Sequence, residues 1–197
     1  MPTGVHIRDA REQLFAAAER VLLRDGPSAL TSRAVTTEAG CAKGVLHRHF
    51  PDFDAFLTDL VLDRIHRMDA QAAELRAAAG TGTVTGNLTD ALTIVFESVA
   101  VAIVALVTFR DELRVRLRQA RTTGGVPVVT EAADMIARYL DAERDLGRIA
   151  ADADVATLAA TLIGAGHLLF ADRGSGPPDA ASVHRTVTTV IAGALPH

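Results

Sequence analysis

Apolar residues recur at three- and four-residue intervals along most of the chain, the spacing that gathers them on one face of an α-helix. Leu14, Phe15, Ala18, Val21 and Leu22 mark a first helix over residues 8–24. Asp25-Gly26-Pro27 ends it, because glycine accepts the left-handed cap conformation and proline cannot continue a helix. Thr31 reads as the N-cap of a second, short helix, with Leu30 as its hydrophobic staple and Ala34, Val35 and Ala39 facing inward. Gly40 supplies a tight turn, and a third short helix covers residues 42–50, stopped at Pro51. Phe56, Leu57, Leu60, Val61, Arg64, Ile65 and Met68 trace the inner stripe of a fourth helix over residues 54–79, with acids at its positive end in Asp52-Phe53-Asp54. A helix of about 25 residues reaches roughly 38 Å, enough to join a small head to a larger body.

The one clear linker is the glycine- and threonine-rich stretch 80–86. A strongly apolar helix is expected from Asn87 or Leu88, where Asn87 or Thr89 would cap it, with a bend near Val99–Ile103 before the polar run Arg110–Arg121. Thr122–Val126 reads as a loop. Pro127 suits the start of a helix that runs to Leu146 and closes at Gly147. Asp152-Ala153-Asp154 opens a helix reaching Ala171, Gly174–Pro178 is a loop, and a last helix spans residues 179–194. The expectation is an all-α protein: a three-helix head over residues 1–52, joined by the long fourth helix to a helical body over residues 53–197.

Composition agrees with that class. Apolar residues make up 49% of the chain, tryptophan is absent and proline is sparse. The single cysteine, Cys41, cannot form an intrachain disulfide, and the N-terminus lacks the apolar run of a signal peptide, so a cytoplasmic location is expected. The apolar run Ala91–Phe109 approaches membrane-spanning length, but Glu97 interrupts it and Asp90 precedes it. A buried central helix is the expectation, with no membrane partner. The net charge of −4 hides an asymmetry: residues 1–50 carry seven Lys/Arg against five Asp/Glu, whereas the remainder carries thirteen against nineteen.

The segment Leu30–Phe50, LTSRAVTTEAGCAKGVLHRHF, therefore has the shape of a helix-turn-helix, a motif that places a helix end in a DNA groove. It holds Lys43, the only lysine among nineteen arginines. Ala42 and Gly44 are small enough for close backbone approach, Val45 can touch a thymine methyl, and His47 and Arg48 follow on successive faces. Thr31, Ser32 and Arg33 open the preceding helix, where hydroxyls and N–H groups can clamp a phosphate. From periodicity alone, an ordinary helical hairpin with a solvated charged face fits equally well.

The matching residues Asp25-Gly26, Leu30-Thr31, Ala39-Gly40, Lys43-Gly44, Leu46, His49 and Phe50, before a proline, an acid and a long apolar helix, resemble the N-terminal domain of the TetR family of transcriptional regulators. The resemblance covers residues 8–60. It implies a divergent helical C-terminal domain that binds a small ligand and dimerises. Three positions of the reading helix depart from the usual pattern: Ala42 stands where serine or threonine is common, Val45 where threonine or alanine is common, and His47 where tyrosine is common. Phe53 replaces a lysine usual at the start of the fourth helix. Leu46 and Phe50 are expected to pack rather than to touch DNA.

In the body, His66, Phe96, Phe109, Tyr139 and His167, with Met68 and Met135, lie on otherwise apolar helices and are candidates for lining a small-molecule cavity, or for ordinary core. Asp63 and His66 share a spacing that metals can use, but without a second such pair a surface ion pair is expected. No nucleophile–base signature, phosphate-cradling loop or zinc spacing is present, so neither an enzyme nor a cofactor is expected. The last two helices are apolar over broad faces, and Gly164, Ala165 and Gly166 permit close helix approach. Pairing with a second copy would bury the outer face in a four-helix bundle, as the resemblance implies. The expected function is a ligand-responsive repressor that binds a palindromic operator in double-stranded DNA as a homodimer and takes a small apolar effector. The alternative is a helical ligand-binding protein whose DNA binding is weakened or lost.

Overall fold

A computed structural model describes residues 7–122, 124–171 and 176–196, and every regular element among them is helical. In chain order the α-helices are α1 (Ile7–Asp25), α2 (Ser32–Glu38), α3 (Gly44–His49), α4 (Phe53–Ala77), α5 (Val84–Glu97), α6 (Ala100–Thr108), α7 (Asp111–Ala120), α8 (Val129–Asp145), α9 (Val155–Phe170) and α10 (Ala180–Ile191). Short 3₁₀ turns follow α1 at Pro27–Ala29 and α10 at Ala192–Ala194. Thr123 of the loop expected over Thr122–Val126, and Gly174 and Ser175 of the loop expected over Gly174–Pro178, lie outside the described residues. The chain divides into two compact units, residues 1–63 with 102–124, and residues 64–101 with 125–197.

The first unit is organised by aromatic packing. Phe15 of α1, Phe50 after α3 and Phe56 of α4 have ring centroids 5.0–5.9 Å apart, and Phe50 meets Phe56 edge-on. Leu46 and Phe50 are buried, so α3 is held by its inner face while its outer face stays free. Arg11 closes this cluster, with its guanidinium 4.5 Å over the Phe50 ring and its Nη2 donating to Asp59 Oδ2 at 2.6 Å. Thr31 caps α2 as expected, accepting the Ala34 N–H at 3.1 Å. Gly40 takes φ +65°, and the N–H groups of Gly40 and Cys41 donate to the Thr37 and Thr36 carbonyls, closing a Schellman turn. That turn fixes the direction of α3. In the same unit Arg110 reaches the Leu30 carbonyl at 3.3 Å and Asp54 at 3.6 Å, and Arg116 donates to Asp52 at 3.0 Å.

In the second unit α8 packs on α9, α10 on α5 and α9, and α5 also meets α8 and α9. Helix α5 starts at Val84, earlier than the expected Asn87, because Thr83 is the cap and accepts the Gly86 N–H at 3.0 Å. Neither Asn87 nor Thr89 caps it. Asn87 turns its amide to the Ala78 and Thr81 carbonyls, and Thr89 donates back to Thr85. The bend expected near Val99 is a full break, since Ser98 Oγ accepts the Ala100 N–H that opens α6 and is held by Arg64 at 2.8 Å. No single described helix is long and apolar enough to cross a membrane. Asp154 and Asp179 cap α9 and α10 through the Thr157 and Ser182 N–H groups. Gly166 of α9 is the contact point with α5, since a Cβ there would lie 2.3 Å from Phe96 Cε2.

Candidate nucleic-acid interface and ligand cleft

The α2–α3 pair owes its outward chemistry to what the core takes away. Leu46 and Phe50 turn one side of α3 inward, leaving Ala42, Lys43, Gly44, His47 and Arg48 exposed and Val45 half-buried. On α2, Arg33 and the cap Thr31 are exposed, whereas Ser32 is half-buried and its Oγ has no hydrogen-bond partner among the described residues. His49 is half-buried at the end of α3.

Ion pairing separates the cations of this region. Arg20 and Arg24 hold Glu38 at 2.7 and 2.9 Å, Arg24 also holds Asp25, and Arg11 holds Asp59. The two guanidiniums keep the Glu38 carboxyl below the usual carboxylate range. Arg33, Lys43 and Arg48 have no carboxylate partner among the described residues. The three unneutralised cations of residues 10–50 therefore all lie on α2, α3 and the turn between them. Phosphate is the group that such a set attracts.

The second unit contains a cleft of about 220 Å³ lined by Gln71, Glu74, Leu75 and Ala78 of α4 and its end, Asn87, Asp90, Ala91, Ile94 and Val95 of α5, and Met135 of α8. Met135 is the one sequence candidate that lines it. Tyr139 stands behind it: its hydroxyl accepts from Asn87 Nδ2 at 3.0 Å and donates to Glu143 Oε1 at 2.5 Å. Burial, and then the bond to Glu143, push the phenol well above its ordinary range, so it stays a neutral donor. Phe96 is buried elsewhere in the unit, stacked on Phe170 at 5.4 Å, with the exposed His167 ring 6.5 Å away. His66 is exposed, with Nδ1 3.9 Å from Asp69 rather than paired with Asp63. Phe109 belongs to the first unit and is 83% exposed. No group of three or more metal-ligating side chains occurs among the described residues.

Sequence reading missed Glu143, although it is fully buried at the centre of a polar network. Besides Tyr139 it accepts the Gly80 N–H at 3.2 Å and lies 3.4 Å from Arg148, which also donates to the Gly82 carbonyl at 2.8 Å. Its spacing of four from Tyr139 was visible, but the partners in the α4–α5 turn lie more than sixty positions away.

Residues 14–60 match the sequence model of the bacterial regulatory proteins, tetR family. No curated protein matches the chain at a significant level. Among solved structures, a TetR-family transcriptional regulator from Agrobacterium tumefaciens aligns with a TM-score of 0.73 at 14% identity, covering 96% of this chain and 99% of that one. FadR from Bacillus subtilis, solved with stearoyl-CoA, aligns at 0.67 and 16% identity, covering 92% and 98%. A Saccharomonospora viridis protein assigned as a transcriptional regulator, solved with choline, aligns at 0.70 and 17% identity, covering 96% and 100%. With the Schellman turn at Gly40 and the core-anchored α3, residues 14–60 form a helix-turn-helix domain of the bacterial regulatory proteins of the tetR family, and the chain shares the all-helical fold of these solved structures along almost its whole length.

Proposed function

We propose that the protein is a homodimeric, effector-responsive repressor that binds a palindromic operator. The observation that carries this reading is the confinement of the unpaired cations Arg33, Lys43 and Arg48 to the α2–α3 motif. In this reading Thr31, Ser32 and Arg33 hold one phosphate strand. Ala42 and Gly44 let α3 approach closely, Lys43, His47 and Arg48 meet phosphates or base edges, and Val45 touches a base. The dimer forms through α9 and α10. Ala160, Gly164 and Leu168 lie at four-residue steps on α9 and are all exposed, Leu168 by 78%. Two copies then present two reading helices to two half-sites.

The effector enters the cleft of the second unit. Four of its lining residues belong to α4 or its end, and α4 is unbroken from Phe53 to Ala77, so a ligand that shifts α4 biases the spacing of the two heads. A coupling of about 1–3 kcal/mol would change operator affinity about 5- to 150-fold. The apolar walls from Leu75, Ala91, Ile94, Val95 and Met135 fit an effector with an apolar body. The reaction-free character of this scheme requires neither a cofactor nor a catalytic group.

Fluorescence anisotropy with duplexes from the promoter region of the protein's own gene, titrated with salt, tests the reading. The logarithm of affinity should fall linearly with that of salt, and Lys43→Ala should lower the slope by about one per subunit. A chain that binds no such DNA at low salt would instead be a helical ligand-binding protein with a disused head, which the thinned hydroxyl set at Ala42 and Val45 would then explain.

A further inference from the structure

The polar atoms of the cleft are unusually one-sided. Its lining includes two carboxylates, Glu74 and Asp90, both exposed, and neither has an ion-pair partner among the described residues. No arginine, lysine or histidine lines it. Asn87 also presents an acceptor: its NH₂ is engaged with the Ala78 and Thr81 carbonyls and the Tyr139 hydroxyl, which leaves only its carbonyl oxygen. Two like charges beside a low-dielectric wall reinforce each other's field. These groups ask for the same ligand feature, a positively charged hydrogen-bond donor.

We infer that the effector is a small organic ammonium ion, with its N–H groups donated to Glu74 and Asp90 and its hydrocarbon body against Leu75, Ile94, Val95 and Met135. This rests on the proposal that the cleft is the effector site. Charge-assisted N–H···O⁻ bonds supply both orientation and selectivity, and an anionic ligand would meet two uncompensated carboxylates. The size agrees: about 220 Å³ lies below the ~300–1,000 Å³ of pockets for drug-sized molecules. A quaternary ammonium satisfies the charge but has no N–H to donate to the two carboxylates.

Isothermal titration of the full chain with n-hexylamine, hexyltrimethylammonium, n-hexanol and n-hexanoate at neutral pH separates these terms. Hexylamine should bind tightest, the trimethylammonium and the alcohol more weakly, and hexanoate not measurably. Glu74→Gln and Asp90→Asn should each weaken hexylamine roughly fivefold, the value of a partly exposed ion pair of about 1 kcal/mol, while leaving hexanol unchanged. Both residues are exposed, so melting without ligand reports that the variants fold. Hexanoate binding as tightly as hexylamine, no loss in either variant, or no binding of hexylamine at all would overturn the inference. Operator binding is measured on the same preparation. Intact DNA binding without amine binding defeats this inference alone, whereas amine binding without DNA binding defeats the repressor reading alone.

Discussion

Gly166→Ala introduces a single methyl where α9 meets α5. The added Cβ would lie 2.3 Å from Phe96 Cε2, 2.9 Å from Cδ2 and 3.0 Å from Cζ. Carbon atoms prefer about 3.5–4.0 Å, so the ring or the helix must yield by about 1 Å. The ring is not free to do so: Phe96 is 8% exposed and stacked on Phe170, which is buried to the same degree. Overpacking of this kind costs about 1–3 kcal/mol, against which alanine recovers about 1 kcal/mol of helix propensity. The net expectation is a destabilisation of up to about 2 kcal/mol. For a chain of this size that is a fall of up to roughly 8 °C in Tm, read by calorimetry at fixed protein concentration. Phe96→Leu removes the ring atoms that clash. In its background Gly166→Ala should become neutral or stabilising, giving a coupling energy of about 1 kcal/mol or more in the double-mutant cycle. Additive single effects within about 0.5 kcal/mol would refute the contact as the cause.

Three other outcomes are expected. Tyr139→Phe preserves shape but removes the donor to buried Glu143, and should cost about 1–3 kcal/mol in thermal unfolding. Leu168→Glu places a charge in the exposed stripe of α9 and should yield a monomer in light scattering, with operator binding lost and the helical spectrum unchanged. The Asp179 carboxyl is held below its usual range by its bonds to Ser182, first from the hydroxyl and then from the backbone N–H. A depressed folded-state pKa adds stability above the unfolded value near 3.9 and loses it as pH falls through the folded one. Asp179→Asn should therefore melt like the parent at pH 7, since asparagine also caps, and lose less on acidification below about pH 4 in parallel denaturation curves.

What was legible in the sequence was local. Thr31, Gly40 and Pro51 act on backbone within a few positions of themselves, and the turn and cap follow from their own chemistry. Leu46 and Phe50, large apolar residues among those that carry the resemblance, could be assigned to packing rather than to DNA contact, and both are buried. The start of α5 was misplaced because Thr83 sits among glycines that read as linker, although a threonine three residues before a helical N–H suffices as a cap. The cleft was the least legible feature. Tyr139 stood out as a polar group in an apolar stripe, but Gln71, Glu74 and Asp90 look like ordinary solvated helix positions until α4 and α5 are brought side by side. Glu143, a carboxylate on an apolar helix face, becomes intelligible only beside Gly80 and Arg148.

The tie between Glu143 and Gly80 has a kinetic consequence. Gly80 is an exposed turn residue at φ +80°, the kind of position whose amide ordinarily exchanges with solvent deuterium at once. Its N–H instead ends on a carboxylate that α8 carries into the interior, 63 positions along the chain. That amide can exchange only when α8 lifts away from the turn. A surface glycine thus becomes a reporter of the whole second unit opening, and its exchange rate should track the slowest core amides of α8 rather than those of its neighbours Thr81 and Gly82.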